Sequence, residues 1–512
     1  MELVNSKISM DEIKSRGVTQ IALEDDKNLQ DDKLDIGRVL RKKGFVKMDE
    51  CRLSGDHVML KGRLLYSILY QSEKDNLMDA VEGELPFEEQ LVMEGLTSEE
   101  QLIVNTELED LTVGLINSRK LSIQAVLNLE VYAEHMYDIS IPLDLQEKSG
   151  VETLKKSLEV ADLIVMKKDI FRWKEELELP QNYPNVGRII WKEMTIPELE
   201  FRAVEEKLFV KGEVKAFFLY RGEQDGELQI FTAAIPINGS LDCSGCREHM
   251  VTDVSWRIGQ EEISVGVDFD DEQRVFMMEM SLELYIKLYE EKKMDMLADC
   301  YGIRKELDME RKETAYKSAL IHSTGRCKVN ETLEQEKVGG EAKVVYATSR
   351  VQKESMQRQE RGLDLLGSVE ADFLMETPDK NYEPLHISMP YHYFMEIPDI
   401  EPENICHLEM NLDHLGLTLN GNQWECRGTL NVDLTAFQME KEFPIYSISE
   451  SENTGEETRK TPGMVGYVVK KGDTLWNIGK QFMVSLDSLK ENNELETEQL
   501  HQGEKILIVK SF

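Results

Sequence analysis

Cys243 and Cys246 stand in the run CSGC, with His249 three residues further on, and this spacing is the one most suggestive of a metal. Thiolates and an imidazole at such intervals are ligands of structural zinc, which takes four of them. No second C-x-x-C completes the set. The nine histidines are scattered, and GxSxG, P-loop, HExxH and dinucleotide-binding glycine patterns are absent. Carboxylate pairs abound, but among 98 acidic residues their nearness in sequence carries no meaning. The expectation is therefore a non-enzymatic chain with no catalytic residue, no metal and no cofactor.

Bulk composition narrows the partners. A formal net charge of −38 opposes general binding to nucleic acid or to an anionic membrane surface. Seven cysteines, odd in number and dispersed, do not make a disulfide framework and fit a reducing compartment. The opening MELVNSKISM lacks the basic-then-apolar pattern of an export signal, and no apolar run is long enough to span a bilayer. A soluble, cytoplasmic protein is expected.

The elements that would position any site are repeated three times. VMLKGRLLYSILY (58–70), LFVKGEVKAFFLY (208–220) and LDLLGSVEADFLM (363–375) align on Gly62, Gly212 and Gly367. A proline follows each at nearly constant distance, at Pro86, Pro236 and Pro390, and DIGRVL (35–40) precedes the first as NVGRII (185–190) precedes the second. The third copy has the looser EAKVVY (341–346). Within each segment apolar residues alternate: Val58, Leu60, Leu64, Tyr66, Ile68 and Tyr70 in the first copy, with apolar counterparts in the others. A period of two denotes half-buried strands, and a glycine recurring in mid-strand denotes a bulge or a close backbone approach. Aligned on the prolines, Cys243 falls opposite Met93 and Ile397, and Cys246 opposite Leu96 and Ile400, so both cysteines are expected to be small core residues.

The fold class that follows is mainly β: three tandem antiparallel sandwich-like repeats and a small βααβ domain. The expected boundaries are 20–148, 165–298 and 325–446 for the repeats, 447–464 for a flexible linker rich in Ser, Thr, Glu and Gly, and 465–510 for the last domain. The connectors near 150–166 and 295–325 are richer in Lys, Glu and Met and can form short helices. In the last domain, YVV is a short strand and Gly472 with Asp473 makes a turn. Asp473 or Thr474 can cap a first helix whose Leu475, Ile478 and Phe482 face a small core, and Ser485 a second carrying Leu486 and Leu489.

On these residues 465–510 resemble a LysM domain. Gly479 departs from the alanine usual in that family and should cost the helix up to about 1 kcal/mol. The resemblance implies that N-acetylglucosamine chains lie between Gly472, Asp473, Thr474 and Leu475 on one side and Asn493, Glu494 and Leu495 on the other. Trp476 is either an exposed anchor for a protein or sugar face, or a shield for the rim of the core. Lys470 and Lys471 are either a basic contact spot or two solvated lysines. The triplicated pattern resembles the SPOCS domain of bacterial spore-envelope proteins. Three such repeats before one LysM module look like the clostridial spore-assembly proteins. That resemblance implies capture of a coat-basement ATPase, stage IV sporulation protein A, by the LysM module at the forespore surface within the mother-cell cytoplasm, with Lys471 and Trp476 at the contact. The alternative is a peptidoglycan or cortex binder using the same module on its sugar. A single copy, without avidity, binds glycan weakly.

Overall fold

The structure, a computed structural model, describes residues 1–224, 226–303, 305–334, 342–379, 381–397, 405–450, 463–495, 497 and 499–510. Nearly all of its regular elements are antiparallel strands, with two short helices near the C-terminus. The first unit runs through β1 (Leu3–Asn28), β2 (Ile36–Ser54), β3 (His57–Ser72), β4 (Met78–Val92), β5 (Gln101–Asn117) and β6 (Lys120–Leu145). It forms two three-stranded sheets, β2-β3-β4 and β1-β6-β5, which enclose one apolar core.

The second unit repeats this plan. β7 (Val151–Glu178), β13 (Gln273–Gly302) and β12 (Val251–Val267) make one sheet, in the order β7-β13-β12. The facing sheet centres on β10 (Lys207–Gly222), flanked by β11 (Leu228–Asp242) and by β8 (Val186–Thr195) with β9 (Leu199–Val204). A two-stranded ribbon of β14 (Leu307–Arg311) and β21 (Ile445–Glu450) brackets the third unit. That unit pairs β15 (Thr314–Glu334), β20 (Gln423–Glu442) and β19 (Ile405–Asn420) in one sheet. Its other sheet is β16 (Lys343–Gln359), β17 (Gly362–Glu376) and β18 (Tyr382–Glu396).

The recurring glycines have one cause in all three units. Beside Gly62 the register of β2 slips by a residue between Met48 and Glu50, and beside Gly367 that of β16 slips between Lys353 and Ser355. At Gly212 the neighbouring strand breaks altogether, into β8 and β9. Each irregularity brings a backbone carbonyl onto the glycine. A Cβ would stand 2.6 Å from Lys47 O at Gly62, 2.6 Å from Glu198 O at Gly212 and 2.1 Å from Gln352 O at Gly367. Gly62→Ala is therefore expected to lower stability by about 1–3 kcal/mol, the usual cost of overpacking. An unchanged urea midpoint would show that the bulge is soft.

The tyrosines ending the first two motifs are also explained. Tyr70 and Tyr220 are fully buried, and their hydroxyls donate to Leu34 O (2.9 Å) and Pro184 O (3.1 Å), pinning the chain that enters β2 and β8. The third unit has buried Met375 at this place.

The connectors are not helical. Residues 151–178 are β7, 295–302 complete β13 and 314–325 belong to β15. These strands overrun their own sandwiches as long arms, buried against the arms of the other units. Ile8, Met10 and Ile141 of the first unit, Leu158, Val160 and Met296 of the second and Tyr316 of the third form one cluster. A second shared cluster joins the facing sheets of all three: Leu40 and Leu69, then Ile190, Trp191, Phe217 and Leu219, then Leu374 with Tyr346. Each unit thus touches both others, and the array closes into a ring. Of the expected linker, residues 451–462 lie outside the described residues, 447–450 continue β21, and Met464 opens β22 (Met464–Val468).

Candidate functional site

The C-terminal module pairs β22 with β23 (Lys505–Val509) and sets α1 (Leu475–Phe482) and α2 (Leu486–Asn492) between them. Thr474 caps α1, its hydroxyl accepting from Asn477 N at 3.1 Å, and Ser485 caps α2, accepting from Ser488 N at 3.2 Å. Asp473 closes the turn instead: one carboxylate oxygen accepts from Lys470 N and from Tyr467 Oη, each at 2.8 Å. These two bonds hold its carboxyl below the usual aspartate value. Gly472 supplies the left-handed backbone the turn needs, at φ +93°.

The expected sugar-binding residues divide by role. Leu475 is buried and shares the module's core with Ile478, Leu489, Ile506 and Ile508, and Leu495 packs against that core, so the two loops converge on it. The Asn493 side chain is spent on β23, its Oδ1 accepting from Leu507 N (2.6 Å) and its Nδ2 donating to Leu507 O (2.8 Å). Lys471, Gly472, Thr474 and Glu494 remain exposed. What this face offers a ligand is backbone around the Gly472 turn, a lysine and a rim of leucine.

Trp476 is neither an exposed anchor nor a shield for the module's own core. It is 8% exposed and lies against the end of β13, 177 residues away in sequence. Its Nε1 donates to Asp299 Oδ2 at 3.0 Å, and its ring meets that of Tyr301 edge-on at 4.9 Å. Lys480, one turn further along α1, donates to both oxygens of Asp299 at 2.7 and 2.6 Å. Burial pushes the Asp299 carboxyl up, but Lys480, Trp476 and Arg311 outweigh it and hold the pKa below its ordinary value. Tyr301 Oη donates to Val484 O at 2.8 Å, between the two helices. Here Gly479 finds its reason: a Cβ on it would stand 2.4 Å from Tyr301 Oη.

Cys243 and Cys246 are fully buried in the core of the second unit; of their counterparts, Met93 and Ile397 are buried, Leu96 packs half-buried against its core, and Ile400 lies outside the described residues. They are also bonded to each other, a single local disulfide where small core residues and no disulfide framework were expected. Among the described residues no group of three or more His, Cys, Asp and Glu is placed to hold a metal, and no helix is long and apolar enough to cross a membrane. Sequence reasoning missed an acidic cleft of about 870 Å³ between the second and third units, lined in part by Glu198, Glu200, Glu409 and Asp433. Burial, then Glu200 and Glu409, raises the Glu198 carboxyl above its usual value.

The described residues thus form three mutually packed β-sandwich units carrying a βααβ module. Comparison with known families makes the modules specific. Residues 467–509 match the LysM domain, and residues 35–116 and 185–266 each match the family described as SipL, SPOCS domain. Those two segments span β2–β5 and β8–β12, the same portion of successive units. The chain therefore carries two SPOCS domains and a C-terminal LysM domain. No curated protein and no solved structure matches it.

Proposed function

We propose that the chain is a non-enzymatic structural and adaptor protein of spore-envelope assembly, working in the mother-cell cytoplasm at the forespore surface. In this reading the third unit, which shares the strand order of the other two, is a third SPOCS domain. The LysM module captures a protein partner, a coat morphogenetic ATPase like stage IV sporulation protein A. The observation that carries the reading is the α1 face itself. Trp476 and Lys480 are already packed on a protein surface, with ring, carboxylate and carbonyl all matched, so this face is built to recognise protein.

A second reading, binding of N-acetylglucosamine polymers of wall or cortex, is favoured by the exposed turn at Lys471 and Gly472 and by the LysM match. The two separate cleanly. The full chain on beads is expected to retain the purified coat ATPase and to give no heat with soluble chito-oligosaccharides in calorimetry. Heat without retention would make this a glycan-binding protein and discard the adaptor.

A further inference from the structure

We propose that the LysM module is latched onto the ring through its α1 face, that Gly479 is the residue that lets the latch close, and that the closed state masks Trp476 from partners. The inference rests on the reading of this module as the partner-binding part of the chain.

Trp476 does not belong to the module's own core, which consists of Val469, Leu475, Ile478, Val484, Leu489, Ile506 and Ile508. Its burial comes from the ring. The receiving surface is the end of β13, where Asp299 accepts from the indole, from Lys480 and from Arg311 Nη2 (3.0 Å), and where Tyr301 reaches Val484 O. Tyr301 is itself 5% exposed, so its ring is held between β13 and α1 and has little room to yield. Any side chain at position 479 would force that hydroxyl away and break its bond to Val484. Glycine in mid-helix weakens α1 on its own, so the residue that loosens the module in isolation is the one that seats it in the whole chain.

The contact rests on few side chains, and as an isolated association it would be weak. It is intramolecular, however, and the module is presented to β13 at the high effective concentration that a covalent tether provides. A modest affinity is enough to keep it closed, and a partner that takes the α1 face must compete with Asp299 and Tyr301. The Lys471–Gly472 turn stays exposed in the closed state and offers a partner its first contact.

Hydroxyl-radical footprinting of the full chain, read by mass spectrometry at Trp476, tests the latch without any partner. Gly479→Ala is expected to raise labelling of Trp476 by ~tenfold, the effect of losing about 1.4 kcal/mol of closure. Tyr301→Phe removes the atom that the new methyl would meet, so Gly479→Ala with Tyr301→Phe should return labelling toward wild type. Because the added methyl also comes within 3.1 Å of Val484 O inside the module, Lys480→Glu provides a second opening variant that leaves the packing of α1 and α2 alone. Equal labelling of wild type and Lys480→Glu, or no recovery in the double variant, overturns the proposal. Retention of the purified coat ATPase by the same proteins then tests masking. Open variants should bind more tightly, and equal binding despite different footprints overturns the masking. If none of them binds, the adaptor reading fails while the footprint still decides the latch.

Discussion

Lys287→Ala is expected to destabilise the whole chain by about 3–5 kcal/mol, the cost of leaving a buried ion-pair network short of one member. Lys287 lies on β13 where the three units meet, 8% exposed. Its ammonium is 2.7 Å from Glu134 Oε2 and 3.3 Å from Asp11 Oδ2, both on the first unit. Lys317 from the third unit completes the set at 2.5 Å from Asp11, and Tyr285 and Tyr289 donate to Glu134 and Asp11 at 2.6 and 2.9 Å. Without Lys287, Asp11 keeps Lys317, but Glu134 loses its cation and stays buried. Lys287→Met combined with Glu134→Gln should therefore cost much less than Lys287→Ala alone, because the unpaired charge is gone. Urea unfolding of the three proteins decides it. A loss below about 1 kcal/mol for Lys287→Ala would mean that water replaces the lysine, as at a surface pair.

The same network fixes a pH window. Burial pushes Asp11 up, but Lys317 and Lys287 outweigh it and hold its carboxyl below the usual range. Its contribution is complete above the unfolded value and is lost as pH falls through the lowered one. Burial would lower Lys287, but Asp11 and Glu134 outweigh it and raise its pKa, so its contribution is lost only as pH rises through that raised value. From these groups stability should be flat between roughly pH 5 and 9 and should fall on both sides.

Phe276→Ala should cost a comparable ~3–5 kcal/mol. Phe276 is fully buried, stacked on Phe218 at 3.9 Å between ring centres, with Phe231 and Tyr220 at 6.1 Å. It sits near the start of β13, whose middle carries Tyr285, Lys287 and Tyr289 and whose end carries Asp299 and Tyr301. One strand thus serves the second core, the junction of the units and the LysM seat. Calorimetry should show the mutant's main transition moved down as one, with the first and third units following. A separate, unmoved transition for those units would show that they hold without the second.

What the sequence made legible follows from where each residue is buried. Strands such as β3, β10 and β17 bury one face in their own sandwich, so alternation alone revealed them, and the bulge glycines stood out because each repeats. Thr474, Ser485 and the leucines of the LysM core were legible for the same reason, since their partners lie a few residues away. The arms, whose composition also allows short helices, show no clear strand pattern because their burial comes from other units and does not alternate strictly. In β7 the run Leu158, Val160, Ala161, Asp162 and Leu163 is buried on both faces, and the pairing with β13 slips between Leu288 and Tyr289. The surroundings of Trp476 were not legible because Asp299 and Tyr301, which cover it, are remote in sequence and belong to no motif.

The closing of the three units on one another has a consequence for how the chain is made. Arrays of stacked repeats can begin to fold as soon as their first members leave the ribosome, each resting on the one before. Here Leu3 shares an apolar cluster with Ile445 and Ile448, and Arg38 donates to the Tyr382 carbonyl at 2.6 Å. Residues of the first unit therefore wait for residues of the third before their surroundings are complete. The first unit must emerge with an apolar flank uncovered, to be closed only when the third unit has followed it.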